Sequence, residues 1–285
     1  MSGRAPESVF DDRAGALDYL KSLAPLGEAP WPIGEAALAL AALDRPQVGL
    51  ARYREHLQAL STEVTAAAVG LEATADRVAT LSSVIVGAYG YRGDSLTYDD
   101  LQNANLMRVI DRRKGLPVAL GILYLHAGRA QGWEMTGLAF PGHFLVRVEG
   151  RGGTAILDPF HEGAVKGAAE LRALLKSVAG AERELATEDY AAVPDREVLL
   201  RLQNNMKLRL IESGRREAAL AVIESMLAMA PDRAELWLEQ GTVNAALGNL
   251  GAAIRSLEAA MERERDSTRR FATAALLQEL KTHLQ

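Results

Sequence analysis

The sequence predicts an α+β fold: a helix-rich core that carries a small antiparallel sheet, followed by an α-helical tail. Three observations carry this. Apolar residues recur at helical spacing from Arg13 to about Tyr91, short strand candidates cluster between Met135 and Asp158, and the last third repeats itself at an interval of 34 residues.

In the first stretch Leu17, Leu20 and Leu23 share one segment and Leu38, Leu40 and Leu43 the next, with breaks at Gly27-Glu28-Ala29-Pro30 and Asp44-Arg45-Pro46. Four helices are expected there. Leu81 to Tyr89 is apolar on more than one side and runs into Gly90-Tyr91-Arg92-Gly93, which predicts a buried helix stopped by a glycine turn.

Tyr98 to Arg113 reads as a loop leading into a helix whose last turn, Arg112-Arg113-Lys114, is cationic. Basic residues there oppose the negative end of the helix dipole, by about 0.3–1 kcal/mol each. A nucleic-acid contact is the alternative use of the same charges.

Gly115-Leu116-Pro117 opens the next helix, since proline is favoured at the first helical position, where its missing N–H costs nothing. Val118 to Ala130 is apolar nearly all round, which predicts the central, buried helix.

The strand candidates are Met135 to Phe140, His143 to Glu149 and Thr154 to Asp158. Phe144, Val146 and Val148 alternate with His143, Leu145, Arg147 and Glu149, the period of a strand packed on one face. Gly150-Arg151-Gly152-Gly153 supplies a hairpin turn. Helical segments follow, then a linker around Thr187 to Asp195.

In the tail Gly214 matches Gly248, Ala218 and Ala219 match Ala252 and Ala253, Ile223 matches Leu257, and Asp232 matches Asp266. With Pro231, Trp237 and Gly241 at consensus-like places, this period resembles the tetratricopeptide repeat: about two repeats and a capping helix, Thr268 to Leu284. Such a tail serves as a helical buttress or as a peptide groove. The expected division is a helical region at 1–92 packed on a core at 93–190, and the tail at 191–285.

Composition excludes several kinds of chemistry. The net charge of −5 lacks the basic excess that phosphate neutralisation demands, so nucleic acid is not an expected partner. No segment is apolar enough to span a bilayer, and MSGRAPESVFDDR has no signal-like apolar run, so no membrane partner and a cytoplasmic location are expected. Cysteine is absent, which removes disulfides, thiolate-ligated metals and every thiolate mechanism.

His143 and Asp158 are the candidate chemical pair. A four-residue loop at Gly150 to Gly153 makes Glu149 face Thr154 and sets Asp158 diagonal to His143 on one face. A tighter turn at Gly150-Arg151 puts the two directly across, and a three-residue loop sends them to opposite faces. A carboxylate in reach of an imidazole fixes its tautomer and supports general-base work, although the same contact also serves as a structural hydrogen bond.

GLPVALGILYLHAGRAQG, then PGHFLVRV, then ILDPF resembles the transglutaminase-like superfamily of papain-like fold, in which these positions carry Cys, His and Asp. Carried over residue by residue, His143 is the family histidine and Asp158 the family aspartate. The cysteine position falls on Pro117, so the resemblance implies a vestigial pair without its nucleophile. A helical start, a YxDxxN-like loop (Tyr98, Asp100, Asn103), RRxGxP, PGHF and a repeat tail more closely resemble the SirB-type proteins, over most of the chain. There Pro117 is a family feature, whereas Leu101 and Ala104 depart from the usual proline and serine. The loop marks Asp100 and Asn103 as binding candidates, and the repeat marks Trp237.

Ser82 and Ser83 are the hydroxyls that could stand in for a nucleophile, and helical serines are often satisfied by their own backbone instead. His143, Asp158 and His161, with Glu162 and His126 near, could meet around a metal, but no HExxH-type spacing supports one; His126 reads as a core histidine, and neither metal nor cofactor is expected. The resulting reading is a non-catalytic protein- or peptide-interaction module. Its alternative is an amide or ester hydrolase using water activated by His143 and Asp158 or by a bound metal.

Overall fold

The computed structural model describes residue 10 and residues 12–283. Most of the opening stretch read against a signal segment therefore lies outside the described residues, as does Leu284. Among the described residues no helix is long and apolar enough to cross a membrane.

The chain separates into two compact units, one containing Leu26–Leu202, the other beginning at Gln203 and taking in Leu20–Pro25. In chain order the four expected helices come first: α1 (Arg13–Leu23), α2 (Ile33–Asp44), α3 (Ala51–Ala67) and α4 (Thr74–Ser82). α4 widens into a π-helical turn at Ser83–Ala88, and Gly90 at φ 71° ends it. Only glycine takes that left-handed conformation without strain, which is why the chain turns there.

Strand β1 (Arg92–Gly93) pairs in parallel with β2 (Lys114–Gly115) across a loop, a 3-10 turn at Leu101–Ala104 and helix α5 (Leu106–Arg112). Arg113 caps α5 at φ 58°. The cationic run is largely consumed internally. Arg112 pairs with Asp94 at 2.7 Å, and Arg113 donates to Tyr91 and to His56 Nε2 while lying over the Tyr91 ring.

Helix α6 (Pro117–Arg129) starts with proline at its first turn and is buried on all sides, as its apolar composition predicts. It packs against α2, α3, β3 (Met135–Leu138) and β4 (Leu145–Gly150). Gly121 makes the approach to the sheet possible, because a Cβ there would lie 2.3 Å from the Phe144 ring. His126 is a core histidine, its Nε2 3.2 Å from the Leu57 carbonyl and its ring against Gly34.

β4 turns through Arg151-Gly152 into β5 (Gly153–Asp158), with Glu149 opposite Thr154 and Gly150 opposite Gly153. This is the register that places Asp158 diagonal to His143. β6 (Ala164–Val165), α7 (Ala168–Ala179) and β7 (Ala192–Val193) complete an antiparallel sheet of order β6-β5-β4-β3-β7. The stretch read as a linker around Thr187 to Asp195 thus contributes an edge strand.

The expectation that β4 packs on one face is corrected. Phe144 and Val146 face α6, while Leu145 joins Leu138, Phe140, Leu171 and Leu175 in a second cluster under α7. The apolar stripe of α7 covers the face that alternation alone left to solvent.

α8 (Asp195–Glu212) runs across the boundary between the units. The second unit continues with α9 (Arg216–Met229), α10 (Ala234–Ala246), α11 (Leu250–Arg263) and α12 (Ser267–His283). The period is realised as paired helices. Gly241 on α10 sits against Leu257 on α11, where a Cβ would come within 2.8 Å of that side chain.

Candidate functional site

The site is built where the hairpin returns to the central helix. Phe140 to Phe144 forms a turn whose carbonyls at Phe140 and His143 accept from the Arg201 guanidinium at 3.0 and 2.7 Å. Two residues ahead of β4, this turn fixes the backbone of His143. Asp158 ends β5 and caps the 3-10 turn Pro159–His161, accepting at Oδ1 from the amides of Phe160 and His161 at 3.1 and 3.3 Å.

His143 Nε2–H donates to Asp158 Oδ1 at 2.8 Å. The other carboxylate oxygen accepts from His161 Nδ1–H at 2.7 Å and faces the Lys166 ammonium at 3.4 Å. Asp158 is wholly buried and His143 is 8% exposed, whereas the His161 side chain is 56% exposed. One inaccessible carboxylate therefore joins a buried imidazole to an exposed one.

Burial alone would raise the Asp158 carboxyl pKa, but the hydrogen bonds and charge of His143 and His161 override it and hold it well below the usual carboxylate range. Because the carboxylate engages Nε2, the Nδ1 of His143 is the nitrogen left for other chemistry.

Phe160 organises the surroundings. Its ring lies edge-on to His143 at 6.2 Å and to Tyr98 at 5.7 Å, and Gly93 is bare where a Cβ would come within 2.6 Å of it. Behind Asp158, Gly163 at φ 73° packs against the hydroxyls of Ser82 and Tyr124. Burial pushes the Tyr124 phenol well above its ordinary pKa, so it stays protonated. Ser83 is exposed in the π-helical turn.

Pro117 occupies the first turn of α6, whose preceding amide, Leu116 N–H, donates to the Asn103 carbonyl at 3.0 Å. Asn103 is wholly buried. Its amide donates to the Thr97 carbonyl at 2.6 Å and its side-chain oxygen accepts from Arg112 at 2.9 Å, so every polar group of that side chain works inside the loop. Asp100 caps the adjacent 3-10 turn through Gln102 N–H at 2.9 Å. In the second unit, Trp237 donates from Nε1 to the Pro231 carbonyl at 2.9 Å, with the Arg263 guanidinium 5.0 Å above its ring.

The structure thus brings His143, Asp158 and His161 together, and Asn103 and Asp100 into a separate hydrogen-bonded loop. Lys166 and Arg201 escaped sequence reasoning. The two-residue strand before Lys166 carries no periodicity, and Arg201 reaches its partners across about 60 residues of chain, as its separation of 58 from His143 shows.

A family model described as the transglutaminase-like superfamily matches residues 51–204, more than half of the 285-residue chain. The chain belongs to the transglutaminase-like superfamily. A tetratricopeptide repeat model matches residues 206–278, so this superfamily member carries such repeats after its core. It is 26% identical over 248 residues to a UPF0162 protein of Xylella fastidiosa (strain Temecula1), covering 85% of this chain and 87% of that one. It is 30% identical over 199 residues to a UPF0162 protein of Vibrio cholerae, covering 70% and 73%. Protein SirB1 of Salmonella typhimurium is 26% identical over 153 residues, covering 53% and 56%, in line with the SirB-type resemblance.

Proposed function

We propose that this superfamily member is a non-catalytic protein- or peptide-interaction module acting in the cytoplasm, in which His143 and Asp158 shape a cleft and do not serve thiol transfer. The observation that carries the reading is the first turn of α6: proline stands there, in a chain with no sulfhydryl, ahead of helical repeats of a kind that binds proteins. Acyl transfer through a thioester needs a thiolate, and an imidazole and carboxylate alone have only water to activate.

Trp237 is the residue proposed to contact the partner from the tail, since its half-buried ring combines an apolar face with a cation above it. The test is in-cell cross-linking followed by reconstitution with the purified partner. Trp237→Ala should weaken that complex by on the order of 10-fold or more while leaving the fold intact. Failure to recover any saturable partner, or binding indifferent to every tail substitution, contradicts the reading.

A second reading is favoured by one observation, the exposed imidazole of His161 on the far side of the Asp158 carboxylate. In it, water activated by the His143 and Asp158 couple, or by a bound metal, hydrolyses an amide or ester. Turnover of such a substrate that disappears in both His143→Gln and Asp158→Asn decides for it.

A further inference from the structure

The atoms around Asp158 have a chemistry that neither hydrogen bonding nor general-base work uses up. One nitrogen each from His143 and His161 and one carboxylate oxygen of Asp158 lie within 4.8 Å of one another. Two imidazoles and a carboxylate are borderline donors of the set that suits zinc and its neighbours and leaves coordination positions open.

The three donors stand near the spacing of a filled site without matching it. Ligands about 2.1 Å from a tetrahedral ion lie roughly 3.4 Å apart. The imidazole-to-carboxylate contacts of 2.8 and 2.7 Å, one to each oxygen, therefore have to open as a cation replaces the two shared protons, and any separation within the 4.8 Å set that exceeds this spacing has to close. Each ring then carries its proton on its other nitrogen and remains neutral.

The carboxylate is also held independently of the imidazoles. The amides of Phe160 and His161 both donate to Oδ1, so Asp158 keeps its aim while the rings turn, the service that outer-shell partners give a metal ligand. One group opposes the ion: the Lys166 ammonium, 3.4 Å from Oδ2, claims the same charge. Its long stem and partial exposure let it swing to solvent.

We propose that His143, Asp158 and His161 form a binding site for one divalent transition cation of the zinc class, entered from the exposed side of His161 and opposed by Lys166. The site stands apart from the interaction reading, because the chain can hold a cation whether or not it binds a partner.

The test uses the full chain without a purification tag, stripped with chelator, and titrated with Zn²⁺ by calorimetry and with Co²⁺ by visible absorption. A single site is expected. His161→Ala should weaken it by at least the ~10-fold that losing an outer-shell partner already costs. Lys166→Met should tighten it, and His56→Gln should leave it unchanged. His161 is half-exposed, so its removal does not threaten the fold as loss of His143 does. Absence of binding at millimolar metal, or binding that His161→Ala leaves untouched, overturns the proposal.

Discussion

Asp158 and His143 are not opposite one another in the hairpin: the partner of position 158 by register is Leu145, and the 2.8 Å hydrogen bond runs along the diagonal. That offset lets one oxygen serve His143 while the other serves His161 and Lys166. The carboxylate becomes a common anchor for the turn before β4, the end of β5 and the residue after β6.

Asp158→Asn removes the charge and puts an NH2 group in place of one of the two oxygens, so that one imidazole N–H loses its acceptor. Loss of one partner from a buried pair costs about 3–5 kcal/mol, and the retained oxygen reduces this to about 2–4 kcal/mol. Urea unfolding of wild type and variant at neutral pH reads it directly.

The same carboxylate has a pH signature. Its folded-state pKa lies below the ordinary value, so as pH falls the unfolded chain takes up the proton first. Its stabilisation is complete above about pH 4 and is lost below it. Unfolding curves between about pH 5 and about pH 2 should show Asp158→Asn losing less stability on acidification than wild type.

His56 gives a separate window. Burial, then the neighbouring Arg113 guanidinium, lowers its pKa to about 4, and its Nε2 accepts from that guanidinium at 2.7 Å, which requires the neutral ring. The unfolded imidazole protonates near pH 6.5, so stability falls as pH drops from about 6.5 to about 4 and levels below that. Because the ring is half-exposed, the loss is on the order of 1–2 kcal/mol. NMR titration of His56 and unfolding of His56→Gln, in which this slope should shrink, check it.

Gly121→Ala tests the contact between α6 and the sheet. Alanine favours a helix over glycine by about 1 kcal/mol, whereas forcing a methyl into packed aromatic space costs about 1–3 kcal/mol. With the Phe144 ring 2.3 Å from the new Cβ, the clash should dominate, and Phe144→Leu should relieve it in a double-mutant cycle.

Much of this was readable from residue order. The glycines of Gly150-Arg151-Gly152-Gly153 limited the hairpin to a few registers, two of which bring Asp158 within reach of His143, and the chain adopts the one with Glu149 opposite Thr154. The helices at either end followed from their period. What escaped was long-range. Alternation in β4 pointed to one packed face because nothing local tells that Leu171 and Leu175 of α7 come back over Leu145. Asn103 sits in a polar loop by sequence, yet its bonds to Thr97 and Arg112 draw it wholly inside.

The central claim is that this member of its superfamily keeps the imidazole and carboxylate without the acyl-transfer chemistry they accompany elsewhere. Its most direct test is amine incorporation and peptide or ester hydrolysis, measured side by side for wild type and a folded His143→Gln variant. The account predicts that the two proteins are indistinguishable from each other and from buffer. Turnover by the wild type that the substitution abolishes would contradict it.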